Sequence, residues 1–465
     1  MILTILGGGG FRVPLVYQAV AAARSRVDVS EVVLLDADPD RLTVMSHVLQ
    51  QLGRELGEPG AAPAVRATTD LDEAVTGADV IFSAIRVGGT TGRTRDERTA
   101  LAEGLLGQET VGPGGLAYAL RTVPEVDRVA ARIAALAPGA WTISFTNPAS
   151  IVTEAMRSHL GERVVGICDT PIALVRRALL GCGLDPAAFD RGEAEVDYAG
   201  LNHLGWLQGL RAGGTDHLPG LLADDAALAD LEEARLMGAD WLRATGALPN
   251  EYLYYYDFTR EAVAGIAAQE RTRGEFLQAQ QGAFYDAATA EPARALELWR
   301  ATLAEREATY MATERETQQA GERAAADLGG GYHEVAVDLM AALLGGEEHR
   351  MILDVANTAT DGQPLLTGLP ADAVVEVPVR VDADGVHPLP VARQLPPERL
   401  ALVAAVKACE RLIIDAARTR SRRSAWLAFA HHPLVDSAGV AHRLVEACWP
   451  AEESGEQYGA DPDDA

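Results

Sequence analysis

The sequence predicts an α/β fold, a doubly wound parallel sheet followed by a second α+β domain. Three observations carry this. Short apolar runs alternate with helix-length amphipathic stretches through the first 190 residues, the pattern of strand–helix–strand units in a parallel sheet. A glycine run, Gly7 to Gly10, closes the first apolar run and precedes a helical stretch. An acid, Asp36, closes the second.

The elements follow in order. Residues 1–6 are a short apolar strand, and 13–24 has helical spacing. EVVLLD over 31–36 and ADVIFSAI over 78–85 are buried-strand patterns, with a helix over 41–56 between them. A helix is predicted over 123–136, a strand over 141–145 ending at Thr146-Asn147-Pro148, and a further strand over 163–168. Polar residues at these strand ends then share the carboxyl edge of the sheet, where such folds bind ligands. Beyond residue 190 the pattern changes. Strands over 194–200 and 207–211 flank a turn at His203. Residues 222–245 and 259–407 read as mainly helical, interrupted by strands near 351–355 and 373–381. The division expected is 1–190 for the first domain, 191–450 for the second, and an acidic, solvated, partly disordered tail over 451–465.

Composition narrows the class. The chain has 465 residues, 48% hydrophobic and 23% charged, with a formal net charge of -27. A surface this acidic repels nucleic acid and anionic membranes, so neither is an expected partner. An anionic substrate would need local arginines against that field. Four cysteines, Cys168, Cys182, Cys409 and Cys448, make no disulfide framework and no CxxC pair. No basic region precedes the first apolar run, and no apolar stretch reaches membrane-spanning length. The expected setting is the cytoplasm, with reduced thiols.

Strand, glycines, helix and a terminal acid on the second strand form the dinucleotide pattern of a Rossmann-type domain. Gly7, Gly8, Gly9 and Gly10 let backbone amides approach a pyrophosphate at a helix N-terminus, and Phe11 and Arg12 after them are candidate cofactor contacts. Asp36 can accept hydrogen bonds from a ribose diol and would repel a 2′-phosphate, which favours NAD over NADP. The spacing is irregular, because Phe11 and Arg12 stand where a last glycine is usual. A glycine-rich turn in an unrelated α/β protein is the competing reading.

Downstream lies a second constellation. Cys168 ends a strand in Cys168-Asp169-Thr170-Pro171, and Asn202-His203 occupies LNHLGW. A thiolate and an imidazole suit a divalent transition metal, and two protein ligands leave positions for substrate hydroxyls. Taken singly, Cys168 is as readily a small buried residue and His203 a core histidine. In PNEYLYYY, residues 249–256, most rings read as packing, while one tyrosine beside a metal and a cation could act as a base. Arg86 and Arg93 follow a strand end, and GQET at 107–110 reads as an active-site loop or a turn.

These stretches together resemble the family 4 glycoside hydrolases, NAD- and Mn-dependent glycosidases that stand outside the two-carboxylate mechanism. The resemblance runs from residue 1 to about 450, through GLLGQETVGPGGLAYALRTVP, SFTNPASIVTEAM, VGICDTP, GLNHLGW, LPNEYLYYY, PADAVVEVPV and HPLV. It implies a C-terminal domain like that of lactate and malate dehydrogenases. It implies Mn, or another divalent metal, on Cys168 and His203. Arg93, Glu109, Asn147 and Asn202 become substrate contacts, and Arg271 or Arg273 a contact to an anionic group. Asp169 becomes the acid that assists the leaving group, and Tyr252 the base that removes the C2 proton, with Tyr255 in reserve. The implied reaction is oxidation at C3, deprotonation at C2, elimination of the aglycone, water addition and re-reduction. A homodimer or homotetramer is implied.

Two departures bear on the substrate. Many members carry Ser and Thr in the first loop where this chain has Gly10 and Val13, with Arg12 between them. Asp169 after the cysteine resembles the 6-phospho-α-glucosidases, whereas PADAVVEVP and LPNEYLYYY look closest to the β-type group. The reading adopted is a 6-phospho-β-glucosidase. A 6-phospho-α-glucosidase or a sulfoquinovosidase by the same mechanism is the alternative. Two further rivals are a 2-hydroxy-acid NAD dehydrogenase, which would reduce NAD stoichiometrically, and a non-catalytic NAD-responsive protein, which needs no metal.

Overall fold

The structure is a computed structural model that describes residues 1–56, 62–309 and 331–450. The acidic tail predicted over 451–465 lies outside the described residues.

A parallel sheet forms first. Strands β1 (Ile2–Leu6), β2 (Glu31–Leu35), β3 (Ala64–Thr68), β4 (Val80–Ser83), β5 (Trp141–Ser144) and β6 (Val164–Gly166) take the order β6-β5-β4-β1-β2-β3. All their pairings are parallel. This is the doubly wound order, whose switch point between β1 and β4 opens a crevice at the carboxyl ends of the strands. The central strands read as continuous apolar runs because both faces are covered. Edge strand β3, AVRAT, has no fully buried residue, so it gave no apolar signal.

The first helix, α1 (Val13–Ala22), packs on β1 and its neighbours through Val16, Tyr17 and Val20. Next come α2 (Pro39–Glu55), α3 (Leu71–Val75), α4 (Gly89–Ala102) and α5 (Pro113–Leu136). Helix α5 starts ten residues before the predicted 123. Pro113 occupies its first turn, where a missing N–H costs nothing. Gly114 and Gly115 stand in its first turns because Cβ atoms there would strike the carbonyl oxygens of Gln108 and Thr110 at 2.1 and 2.4 Å. Helix α4 is mostly polar and was hidden among GTTGRTRDE. Helices α6 (Ala149–Leu160) and α7 (Thr170–Gly181) follow β5 and β6.

The sheet then continues with antiparallel strands. Strands β7 (Ala194–Leu201) and β8 (Leu204–Ala212) form a hairpin whose two-residue turn is Asn202-His203. Strand β9 (Thr215–Asp216) and strand β10 (Leu248–Pro249) pair with β8. Strands β11 (His349–Ala356), β12 (Val374–Asp382) and β13 (Gly385–Pro388) complete it. The order β10-β8-β7-β12-β11-β6 makes the two parts one sheet. The junction is narrow, with Asp354 of β11 paired to Gly166 of β6; within the antiparallel part, β12 meets β7 at Glu376 and Gly200. Short helices fill 218–245 where a longer helical stretch was expected. Among the described residues, no helix is long and apolar enough to cross a membrane.

Candidate active site

One cavity of about 1080 Å³ runs along the carboxyl edge, from Asp36 and Arg41 at one end to Cys168, His203 and Tyr252 at the other. Its first wall is the glycine turn. The N–H groups of Gly7 and Gly8 both donate to the Leu35 carbonyl (2.9 and 2.7 Å), and Gly10 N–H donates to the Gly7 carbonyl (2.9 Å). Gly7 has φ +85°, which favours glycine, and a Cβ there would meet the Ala84 carbonyl oxygen at 2.7 Å. Gly7, Gly10, Phe11, Arg12 and Asp36 line the cavity. Gly8 and Gly9 do not; they press against Leu34 and against Asp36 with Arg41, and so shape the turn. Phe11 turns its ring into the core, edge-on to Phe284 at 5.3 Å. Asp36 accepts from the N–H groups of Gly9 (2.9 Å) and Asp38 (3.1 Å). Burial raises its pKa, and those two hydrogen bonds oppose the rise. The glycine turn at the start of α1, the acid at the end of β2 and the length of the cavity fit a dinucleotide.

At the far end, β6 delivers Cys168 and Asp169 at the start of α7, and the β7–β8 turn delivers His203. His203 has φ +63°, a left-handed conformation that a histidine adopts at a cost. Its Nδ1 lies 3.3 Å from Thr110 Oγ1, which leaves Nε2 as the ring nitrogen available to a metal. Gln108 Oε1 holds that loop by accepting from the N–H groups of Thr110 and Val111, both at 2.6 Å. Burial lowers the His203 pKa to about 4, so the ring is neutral and ligand-competent. Burial, then the charges of Asp169 and Glu376, push the Cys168 thiol up, so the thiol needs a cation to ionise. Among the described residues, no group of three or more His, Cys, Asp or Glu forms a closed metal cage. A Cys–His pair suits an open site completed by other oxygens.

The Tyr252 ring stacks on the His203 imidazole, with centroids 3.8 Å apart and planes at 5°. Tyr255 lies 5.9 Å from Tyr252 and also lines the cavity. Asn147, Asp169, Arg93 and Glu109 reach the same space. Glu109 is bound on both sides, to Arg86 Nη1 and Arg93 Nη1, each at 2.7 Å. Arg93 also holds Glu97 at 2.7 Å. Despite burial, Arg86 and Arg93 hold the Glu109 pKa down to about 2. Asn202 lines the cavity, but its amide donates to Glu376 Oε1 at 3.1 Å. Arg271 lines the cavity from an exposed position. Arg273 donates to Thr309 Oγ1 (2.7 Å) and to the Arg306 carbonyl (3.2 Å), bracing the helix that carries Arg306.

Arg306 itself escaped the sequence reading, hidden in the charged helical run AEREAT. Burial, then the like charges of Arg12, Arg273 and Arg93, oppose its charge. A guanidinium stays protonated under such pressure, so this end of the cavity is electropositive within a strongly acidic chain. Glu376, Tyr198 and Asn250, which stand behind the site, were also missed. A faint signal existed for the first, a lone acid within the apolar strand VVEVPV.

Comparison with known proteins places this architecture. Residues 2–179 match the model of the family 4 glycosyl hydrolases, and residues 198–435 match that of the family 4 glycosyl hydrolase C-terminal domain. The chain belongs to glycosyl hydrolase family 4. It is therefore a glycosidase, and the separate dehydrogenase reading falls. A probable 6-phospho-beta-glucosidase of Bacillus subtilis (strain 168) is 29% identical over 461 residues, covering 96% of this chain and 94% of that protein. 6-phospho-alpha-glucosidase 1 of Lacticaseibacillus paracasei is 28% identical, covering 95% of each. A crystal structure of 6-phospho-alpha-glucosidase from gut microorganisms, in complex with NAD and glucose-6-phosphate, superposes with a TM-score of 0.77 at 26% identity, covering 96% of each chain. The 6-phospho-beta glucosidase from Thermotoga maritima shares the fold, with a TM-score of 0.77 at 24% identity, covering 96% of this chain and 97% of that one.

Proposed function

We propose that this family 4 glycosidase hydrolyses 6-phospho-glucosides, preferentially the β-anomer, using NAD and a divalent metal as resident cofactors. One observation carries the reading. A single cavity joins a dinucleotide turn to a Cys–His pair, a tyrosine stacked on that histidine, and an arginine-rich wall.

When bound, NAD supplies a reversible hydride sink at C3 and the metal supplies Lewis acidity at the C2 and C3 oxygens. The chain's own residues do the rest. Cys168 and His203 would hold the metal. Tyr252 takes the C2 proton from beside the metal ligand His203. Asp169, the N-cap residue of α7, gives a proton to the departing glycosidic oxygen. Asn147 and the Arg93–Glu109 pair bind sugar hydroxyls. Arg12, Arg306, Arg273 and Arg271 receive the 6-phosphate, whose charge offsets the electropositive wall. Arg12 stands where a hydroxyl-bearing loop is usual, so guanidinium contacts replace hydroxyl contacts to the anion. The chain works as a homodimer or homotetramer.

The test is release of nitrophenol from its 6-phospho-β-glucoside with Mn and sub-stoichiometric NAD. The expected result is product in excess over NAD, abolished by EDTA and restored by Mn. Release that tracks NAD one for one, or survives EDTA, would refute the mechanism. Cleavage of the α-anomer or a C6 sulfonate in place of the β-phosphate would refute the substrate alone.

A further inference from the structure

The two candidate metal ligands sit on different elements, the β7–β8 turn and the start of α7, yet one buried side chain ties them together. Glu376 lies in the middle of β12, 1% exposed, with Gly200 of β7 as its backbone partner. Its Oε1 accepts from the Asn202 amide at 3.1 Å, and its Oε2 accepts from the Tyr198 hydroxyl at 2.7 Å. The first bond fixes the two-residue turn that carries His203. The second starts a longer arm. The Asn250 side chain hydrogen-bonds Tyr198 and also donates to Thr170 Oγ1 at 2.8 Å. Thr170 Oγ1 in turn lies 3.3 Å from Cys168 Sγ. Asn250 Oδ1 also accepts from the Tyr252 N–H at 3.1 Å, so the same arm reaches the backbone of the candidate base.

The surroundings are built for this network. Tyr198 and Asn250 are fully buried, where lost hydrogen bonds are costly. A Cβ on Gly205 would stand 2.3 Å from the Tyr198 hydroxyl, and one on Gly200 would strike the Leu204 carbonyl oxygen at 2.2 Å. The two glycines that flank the turn in GLNHLG therefore leave room for the phenol and for close hairpin pairing. A carboxylate is required at the hub for a simple reason. Both of its oxygens accept, and an amide of the same shape keeps only one acceptor, so the Tyr198 hydroxyl would have to turn round and give up its own donation.

We propose that Glu376 is the positioning residue of the metal site, fixing His203 through Asn202 and Cys168 through Tyr198, Asn250 and Thr170. This rests on the reading that Cys168 and His203 hold a divalent metal. Left-handed His203 has its own local preference for other conformations, so the turn needs an external brace to present the imidazole. Residues that orient metal ligands in this way govern affinity without touching the ion.

The experiment measures Mn²⁺ affinity of the full-length NAD-bound protein by calorimetry, with the electron paramagnetic resonance spectrum of the bound ion as a second readout. Four proteins are compared: wild type, Glu376→Gln, Tyr198→Phe and Cys168→Ser. Glu376→Gln is expected to weaken Mn²⁺ binding by about 10–100-fold and to broaden the spectrum. NAD affinity should be unchanged, because none of the hydrogen bonds above reaches the glycine turn or Asp36. Tyr198→Phe, which cuts only the Cys168 arm, should weaken Mn²⁺ less. Wild-type Mn²⁺ affinity and spectrum in Glu376→Gln would overturn the inference, as would a parallel loss of NAD binding, which marks general damage. If Glu376→Gln does not fold, Tyr198→Phe decides, and wild-type affinity there overturns the Cys168 arm. Cys168→Ser separates the two levels. If it binds Mn²⁺ as tightly as wild type, the ligand assignment fails and the inference with it; if it alone loses the metal, the inference fails by itself.

Discussion

Replacing Glu109 by Gln isolates the electrostatics of the sugar end of the cavity. The carboxylate forms ion pairs with Arg86 and Arg93 at 2.7 Å each and retains 17% side-chain exposure. Its pKa lies at about 2 against an ordinary 4.5. That depression corresponds to about 3 kcal/mol of folding stability, at 1.36 kcal/mol per pKa unit. The folded pKa is the lower one, so the stability is fully present above pH 4.5 and drains away as pH falls toward 2. Glutamine keeps the shape and removes the charge. Arg93 then keeps Glu97, while Arg86 keeps the face of Tyr118 at 5.2 Å, a weaker partner. Denaturant unfolding at neutral pH should show the variant about 3 kcal/mol less stable, within the range for stripping one partner from a buried pair. Repeating the measurement in acid should bring the two proteins together below pH 4.5. A neutral-pH difference under about 1 kcal/mol, the scale of an exposed ion pair, would refute the reasoning, as would a difference that grows in acid.

Tyr252→Phe should abolish exchange of the substrate C2 proton with solvent deuterium, read by NMR of the product, with a rate loss of about 10² or more; exchange at the wild-type rate would remove Tyr252 as the base. Asp36→Ala should weaken NAD and narrow the preference for NAD over NADP in fluorescence titrations, because it removes both the ribose acceptor and the charge that repels a 2′-phosphate. An unchanged ratio would place the ribose elsewhere. His432 is buried, its Nδ1 accepts the Leu434 N–H at 3.1 Å, and burial lowers its pKa to about 4. The unfolded chain therefore binds the proton first, and about 3 kcal/mol should be lost as pH falls from 6.5 toward 4. His432→Gln should flatten that part of the stability–pH curve, and an unaltered slope would count against it.

Much of the nucleotide half was legible because its signals are local. EVVLLD and ADVIFSAI are apolar on both faces, and Gly7 and Asp36 terminate their strands in a fixed pattern. Cys168, Asp169 and His203 stood out by residue type, and the cavity does bring them together. What escaped has a common cause. Edge strand β3 lacks an apolar face, α4 is rich in polar residues and the start of α5 carries Pro113, Gly114 and Gly115, so tertiary contacts override their weak propensity. Arg306 looks like any arginine on a charged helix until the fold brings it, half-buried, beside Arg12 and Arg273. Asn202 was expected to contact substrate, and its amide proves to be engaged by Glu376.

By itself, then, the sequence determined the strand–helix alternation, the dinucleotide turn and the types of chemical group available, because periodicity and turn chemistry act over a few residues. The tertiary structure alone decided that the two sheet halves join through Gly166–Asp354, and that residues hundreds of positions apart form one cavity. It also decided which charges are paired. Glu109 and Glu376 are both glutamates, yet one is held ionised between two guanidiniums and the other is a buried hydrogen-bond hub. Charge and hydrogen bonding depend on distance in space and on the water excluded around them, and neither is written in the order of the chain.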